Sequence, residues 1–206
     1  MNHWYELTKS SSYYVISFKN TMDTITNAPY RNGERCVRYI NRTVPLSYDH
    51  DPDLEIADFI LRERLEPSGT VLTLTAVDVS EAWFVDIDEN TLLSITCGTE
   101  NALSIGSDGK TSSGTINVFV GVNLKMRTQA ALDLFQGIVE TKCQILNDSG
   151  VRDKRTGLKA PGTSTDTVSI FFHADREGER FAGRLTKPGK KITVAVYDTL
   201  RQMLEK

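Results

Sequence analysis

The alternation of apolar and polar positions predicts a chain that is rich in strands. Six short segments combine β-branched and aromatic residues in the manner of strands. They are YYVISF at 13–18, TVLTLTAV at 70–77, AWFVDI at 82–87, LLSIT at 92–96, INVFVGV at 116–122 and DTVSIFF at 166–172. The segment TMDTITNAPYRNGERC at 21–36 contains several turn formers and predicts an irregular loop.

Three longer segments repeat their apolar residues at helical spacing. They span residues 53–65, 127–146 and 190–204. Asp53 is the predicted N-cap of the first helix, and Asn147–Gly150 ends the second. Strands outnumber helices and partly follow one another, which predicts an α+β fold with mixed or antiparallel sheet layers packed against helices. An α/β layered sandwich is the alternative.

Composition narrows the class of protein. The 206 residues suit a single domain over 1–206, and the 39% hydrophobic content can bury a core. A net charge of −3 gives no electrostatic reason to bind nucleic acid or an anionic membrane. The chain has no apolar run of about 18 residues that could span a membrane and no secretory signal pattern at its start. Cys36, Cys97 and Cys143 form no CxxC pair, which favours a reducing, cytoplasmic location.

The second helix carries a lysine on its apolar side. With Leu134 at zero on the helical wheel, Ile138, Lys142 and Phe135 fall at about 40°, 80° and 100°. Either the stem of Lys142 packs while its ammonium reaches water, or Lys142 is a functional lysine at the floor of a pocket. Glu140 falls near 240° on the same wheel, which predicts that it faces another loop or a partner chain.

Small polar residues gather in three loops that flank predicted strands. The loops are TCGTENA at 96–102, GTIN at 114–117 and PGTSTD at 161–166. Each contains glycine, which permits a close backbone approach, and short hydroxyl, amide or carboxyl groups that can meet a polar ligand. Ordinary turn chemistry also explains any one of these loops. Asn117 is less easily explained, because it lies one residue inside an apolar strand, where asparagine is depleted and a buried amide needs partners.

Common catalytic and cofactor motifs are missing from the sequence. GxSxG, HExxH, a P-loop and GxGxxG do not occur. His3, His50 and His173 do not have the spacing of a closed metal site, so we expect no metal.

Seven segments, in order over nearly the whole chain, resemble motifs of the adenosylcobinamide amidohydrolase family. They are NAPYRNG at 27–33, TAVD at 75–78, TCGTENA at 96–102, GTINVFV at 114–120, VETKCQ at 139–144, GTSTD at 162–166 and FAGRLTKPG at 181–189. The chain also departs from the family pattern. Cys97 and Thr141 stand where alanine is usual, Ser164 where glycine is usual and Asn27 where serine is usual.

The resemblance implies a role in corrinoid salvage. It implies hydrolysis of the amide that joins aminopropanol to the corrin ring of adenosylcobinamide, which gives adenosylcobyric acid. The implied partner is a small-molecule corrinoid, and no cofactor is expected because the cobalt belongs to the substrate. Two alternatives stay open: a corrinoid-binding protein without catalysis, and a hydrolase of a related cobamide or another amide. Whether the chain forms a homo-oligomer is also open.

Amide hydrolysis needs an attacking group, a donor for the oxyanion and an acid for the leaving amine. The candidate catalytic residues are Lys142, Asp166, Asn117 and Thr165. The candidate substrate-binding residues are Gly98, Asn101, Gly114, Thr115, Glu140, Gly162 and Thr163. Lys142 could act as base or oxyanion partner, and Asp166 could position water or act as the base. Asn117 and Asn101 could hold the oxyanion or the amides of the corrin. Thr115, Thr163 or Thr165 could attack if a base lies beside it. Autocleavage at Gly114–Thr115, which would free an N-terminal threonine nucleophile, is a further hypothesis.

Overall fold

The computed structural model describes residues 4–45, 47–48, 51–108 and 114–205. The strands are β1 (Tyr5–Lys9), β2 (Tyr13–Thr26), β3 (Tyr30–Asn32), β4 (Arg35–Thr43), β5 (Thr70–Thr75), β6 (Trp83–Asp88), β7 (Thr91–Cys97), β8 (Ala102–Leu103), β9 (Ile116–Met126), β10 (Gly162–Thr163) and β11 (Thr167–Ala174). The helices are α1 (Pro52–Arg62), α2 (Thr128–Asp148) and α3 (Lys187–Leu204), with a short 3₁₀ turn at Val79–Glu81.

One mixed sheet organises the described part of the chain. Its strand order is β3-β5-β4-β2-β11-β9-β7-β6, and β1 pairs with β2 beside this path to give nine strands. The β4/β5 and β9/β11 pairs are parallel, and the other neighbours run antiparallel. A separate pair joins β8 to β10. The α+β prediction with a mixed sheet packed against helices is therefore confirmed.

The sheet curls, so that its two halves face each other across an interior. Tyr14 on β2 and Ser94 on β7 share a hydrogen bond of 2.8 Å between their hydroxyls, although β11 and β9 lie between these strands in the sheet. Tyr39 on β4 and Phe119 on β9 also meet, with ring centroids 4.5 Å apart. This interior is filled mainly by aromatic side chains, and Phe18 and Phe171 complete the group.

The helices cover the outer faces of the curled sheet. Ile56 and Phe59 of α1 pack on Ile40 and Leu72 of the β4/β5 half. Helices α2 and α3 pack on the outer face of β7, β9 and β11. Successive strand residues point to opposite faces, so Ile116, Val118 and Val120 of β9 face the helices while Asn117 and Phe119 face the interior. No described helix is both long and apolar enough to cross a membrane.

Two local predictions are wrong. The irregular loop predicted over 21–36 contains the second half of β2, all of β3 and the start of β4. The polar residues at 21–26 were the reason for the wrong prediction, but this segment is a strand in which Met22 and Thr24 are buried. Threonine is common in strands as well as in turns. The N-cap of α1 is Asp51 rather than Asp53, because the Asp51 side chain accepts from the Asp53 N–H and leaves Pro52 in the first turn.

Candidate functional site

The three polar loops meet at one end of three adjacent strands. The end of β7 lies beside the start of β9, with Cys97 opposite Ile116. The start of β11 lies on the other side of β9, with Thr167 opposite Asn117. Loop 96–102 leaves β7 here, and residues 114–115 and 161–166 lead into β9 and β11. The topology therefore brings together segments that are far apart in sequence.

Helix α2 delivers Lys142 to this meeting point. Lys142 is only 8% exposed, and its Nζ forms an ion pair with the carboxylate of Asp166, whose side chain is 10% exposed. The ammonium therefore ends at a buried carboxylate and does not reach out to water. Removing two charges from water costs free energy that their attraction often fails to recover. A contribution to folding stability is therefore a weak explanation for the presence of this ion pair.

Asp166 is held by four donors. Its Oδ1 accepts from the Ile116 N–H at 2.9 Å and from the Thr163 hydroxyl at 2.5 Å. Its Oδ2 accepts from the Thr163 N–H at 3.0 Å and from Lys142 Nζ. A carboxylate offers about four lone-pair positions, so the protein occupies them all. Lys142 carries three N–H groups, and within the described residues its hydrogen bonds go to Asp166 alone. Among the described residues no other acceptor takes its remaining N–H groups, so a ligand can bind them.

Gly162 lets the ion pair form close to the backbone. A Cβ at this position would lie 2.4 Å from Asp166 Oδ2 and 2.6 Å from Lys142 Nζ. We expect Gly162→Ala to push the pair apart and to lower the free energy of unfolding by about 1–3 kcal/mol, as overpacking does elsewhere. Urea unfolding of the variant measures this loss. Gly183→Ala is the matched control, because a Cβ there meets no atom within 4 Å. Equal losses in the two variants would contradict the steric argument.

Cys97 lies beside the ion pair as a neutral thiol. Burial and the nearby Asp166 carboxylate raise the pKa of Cys97 to about 12, while Lys142 acts in the opposite direction. The thiolate is the reactive form of cysteine, so the thiol is a poor nucleophile at neutral pH.

The three threonines that are candidate nucleophiles, Thr115, Thr163 and Thr165, have different partners. Thr115 Oγ1 and Thr165 Oγ1 share a hydrogen bond of 2.6 Å, and the Thr165 hydroxyl also lies 3.1 Å from the Gly114 carbonyl. These contacts tie residues 114–115 to residues 161–166. Of the three hydroxyls, the one that donates to a carboxylate in the described structure is that of Thr163.

Backbone and amide contacts complete this end of the sheet. The Gly98 N–H donates to the Thr115 carbonyl at 3.0 Å, which joins the first two loops. Asn101 is buried and its side chain packs directly against Gly114. The structure therefore brings together eight of the predicted residues: Gly98, Asn101, Gly114, Thr115, Gly162, Thr163, Thr165 and Asp166, with Lys142 above them.

Asn117 is not brought into this group. Its side chain points into the interior of the sheet, where Nδ2 donates to Asn41 Oδ1 at 3.2 Å and to the Leu74 carbonyl at 2.9 Å. Its Oδ1 accepts from the Thr167 hydroxyl at 2.8 Å. Lys142 approaches from the helix-covered outer face, so the sheet separates the two side chains. The Asn117 amide bonds to neighbours within the fold.

Glu140 lies on the far side of α2 from Lys142, in keeping with their positions on the helical wheel. Its carboxylate pairs with Arg184 at 3.0 Å and accepts from Gln136 at 2.8 Å. Arg184 belongs to the segment before α3, so the structure places Glu140 against another loop. Residues 181–186 and this side of α2 border an open cleft of about 400 Å³.

Sequence reasoning missed the contribution of Asn27. Its Nδ2 donates to the Asp166 carbonyl at 2.9 Å, and its Oδ1 accepts from the Val168 N–H at 2.7 Å. Asn27 thereby holds the backbone on both sides of Thr167. Its place in the NAPYRNG motif is a signal in the sequence, but the turn formers around it predict an irregular loop, which gives no reason to place Asn27 beside β11.

A metal centre finds no support in the described ranges. No group of three or more His, Cys, Asp or Glu side chains there is placed to hold a metal ion. His173 bonds to Asn123 at the opposite end of the sheet, and His3 and His50 lie outside the described residues.

Comparison with known families agrees with the motif order seen in the sequence. A family model described as adenosylcobinamide amidohydrolase matches residues 2–206. No curated protein matches the chain significantly. Members of this family are hydrolases that act on an amide bond of adenosylcobinamide. Because the match covers essentially the whole chain, the protein belongs to the adenosylcobinamide amidohydrolase family.

Proposed function

We propose that the protein hydrolyses the amide between aminopropanol and the corrin ring of adenosylcobinamide, releasing adenosylcobyric acid and aminopropanol. The observation that carries this proposal is the buried Lys142–Asp166 pair at the meeting point of three polar loops. The rim of a corrinoid bears many acetamide and propionamide groups. Loops of hydroxyl and amide side chains can bond to such groups without removing an unpaired charge from water.

Lys142 is the proposed donor to the oxyanion. Attack on an amide moves negative charge onto the carbonyl oxygen, and a preorganised donor in a water-poor site stabilises that charge strongly. One N–H of Lys142 is held by Asp166, which fixes the direction of the ammonium. The two remaining N–H groups are the ones that would reach the substrate oxygen.

Asp166 is the proposed centre of the site. Its carboxylate orients Lys142, accepts the Thr163 hydroxyl and bonds to the first N–H of β9, that of Ile116. Those contacts fix one geometry for all three groups, as catalysis by positioned groups requires. Gly98, Asn101 and Thr115 would line the substrate side of the same end of the sheet, and Glu140 would contact substrate only through the separate cleft beside Arg184.

A carrier that binds corrinoids without hydrolysis is the second candidate. Such a protein would need the polar loops but would gain nothing from the ion pair. Desolvation makes a buried ion pair a poor source of stability, so its presence favours catalysis over simple binding. A preference for complete cobamides over cobinamide is a third case, which product analysis with both substrates separates.

The first test is product analysis with Asp166→Asn. We expect the parent protein to convert adenosylcobinamide into adenosylcobyric acid and aminopropanol, detected by mass spectrometry. Asparagine would turn an amide N–H toward at least one of the present donors, so kcat should fall by at least about 100-fold, as when a positioned proton acceptor is lost. Asp175→Asn is the matched control, since Asp175 forms an exposed pair with Lys125 at the opposite end of β9 and β11.

Each outcome decides between the candidates. Corrinoid binding without product supports a carrier, and hydrolysis of cobamides alone moves the assignment to that substrate. Parent-like turnover by Asp166→Asn would remove this carboxylate from the chemistry.

A further inference from the structure

We infer that Thr163 supplies the attacking oxygen, so that hydrolysis passes through an ester between Thr163 and the corrinoid carboxyl group. This inference rests on the proposed function and specifies how the same site performs it. The observation behind it is a difference between Thr163 and the other hydroxyls of the loops, of which Thr115 and Thr165 satisfy each other.

The Thr163 hydroxyl is already arranged to lose its proton. Its Oγ1 lies 2.5 Å from Asp166 Oδ1, a short, charge-assisted hydrogen bond. Hydroxyl nucleophiles are weak unless a base lies within hydrogen-bond reach, and this hydroxyl meets that condition. The Thr165 N–H donates to this oxygen at 3.4 Å, so one lone pair is left for attack while the hydroxyl hydrogen points at the carboxylate.

The backbone of Thr163 is fixed by the same carboxylate. Its N–H donates to Asp166 Oδ2 at 3.0 Å, and the strand pair β8/β10 sets Thr163 opposite Ala102. The residue therefore cannot swing away from its base without breaking two hydrogen bonds. Thr163 is half-buried, whereas Ser164 and Thr165 are exposed, so its hydroxyl lies where the buried pair meets the surface.

The ammonium and the hydroxyl flank one carboxylate. Lys142 bonds to Oδ2 and Thr163 to Oδ1, so a substrate carbonyl group that met both would be attacked by the hydroxyl and stabilised by the ammonium. During attack, negative charge would move from Asp166 to the substrate oxygen, and both positions are close to Lys142. The cation would thus stabilise the site before and after the transfer.

The steps balance. Thr163 Oγ1 bonds to the amide carbon while its proton moves to Asp166, and the oxyanion forms against Lys142. The C–N bond then breaks, and the proton on Asp166 passes to the nitrogen as aminopropanol leaves. Water next attacks the ester, again giving a proton to Asp166, and the Thr163 oxygen leaves and recovers that proton. The sum is amide plus water to carboxylic acid plus amine.

Hydroxylamine tests for the ester in the full-length protein. It competes with water for an acyl-enzyme, so part of the product should become the corrinoid hydroxamate. In a single turnover with enzyme in excess, the rate of aminopropanol release should not change, because the ester forms before either nucleophile acts on it. Direct attack on the amide predicts either no hydroxamate or a single-turnover aminopropanol rate that rises with hydroxylamine.

Variants assign the ester to Thr163. We expect Thr163→Ala to lower aminopropanol release by at least about 10³-fold, as loss of a nucleophile does, and to form no hydroxamate. Thr163→Ser should keep both products within about tenfold of the parent rate, because it retains the hydroxyl. Ser164→Ala, the neighbouring exposed hydroxyl, should behave as the parent protein does.

The results separate two failures. If the parent releases no aminopropanol, the proposed function fails and the inference fails with it. If the parent is active, the inference alone is overturned by Thr163→Ala activity within tenfold of the parent, or by the absence of hydroxamate from both the parent and Thr163→Ser.

Discussion

Lys142→Met should lower kcat for adenosylcobinamide hydrolysis by about 10²–10³-fold, the usual effect of removing one oxyanion donor. Methionine is unbranched, is one heavy atom shorter than lysine and favours helix, so α2 should persist. The donor acts on charge that exists only after attack, so the loss should appear in kcat more than in KM. Steady-state kinetics with the purified variant measure both constants.

The free energy of unfolding of Lys142→Met should fall by less than is usual when one partner of a buried ion pair is removed. Removing one partner of a buried ion pair typically costs about 3–5 kcal/mol, because the other charge is stranded. Asp166 would keep its bonds to the Ile116 N–H, the Thr163 N–H and the Thr163 hydroxyl. We therefore expect a smaller loss in urea unfolding than that range. Lys125→Met, at an exposed pair, controls for the loss of a lysine. Unchanged kcat in Lys142→Met would show that Lys142 is structural.

Helical periodicity was sufficient to place Lys142 on the apolar side of α2, but it left open whether the ammonium reaches water. The wheel positions of Ile138 and Phe135 define the apolar side of α2, and the lysine between them follows the same side. Periodicity could not predict which residue pairs with Lys142. Asp166 is 24 residues away in sequence, and the packing of α2 on β11 brings it to Lys142. The composition of the loops drew attention to Asp166, but its position follows from sheet topology.

For Asn117, the sequence pattern was not sufficient to predict where the side chain lies. Strand alternation requires that Asn117 and Ile116 point to opposite faces, yet the sequence does not say which face α2 and α3 cover. The aromatic interior of the curled sheet could not be predicted, because the sequence pattern does not identify residues 21–26 or β4 as strands. Without β4 there was no Asn41 to receive the Asn117 amide, so a ligand appeared to be the natural partner. Backbone donors such as the Ile116 N–H leave no signal in a sequence.

Asn117→Leu should lower the free energy of unfolding by about 3–5 kcal/mol. The amide makes three hydrogen bonds at a position that is 1% exposed. Leucine would leave Asn41 Oδ1, the Leu74 carbonyl and the Thr167 hydroxyl short of a partner, and each such loss costs about 1–3 kcal/mol. Urea unfolding measures the change. At a temperature where the variant is folded, kcat should stay within about tenfold of the parent, because Asn117 faces away from Lys142. A fall as large as that of Lys142→Met would return Asn117 to the chemistry.

A double-mutant cycle with Asn41→Leu checks the origin of that cost. Asn41 donates to Thr96 Oγ1 at 3.0 Å and to the Tyr14 hydroxyl at 3.2 Å, and it accepts from Asn117. Either single variant leaves one amide facing an apolar group, whereas the double variant removes both sides of the Asn41–Asn117 bond. Replacing both partners of a buried hydrogen bond is less costly than stranding one. The double variant should therefore lose less stability than the sum of the single losses, by about 1–3 kcal/mol. Additive losses would mean that the two amides act independently, and that a different contact holds the halves of the sheet together at the end where Asp166 lies.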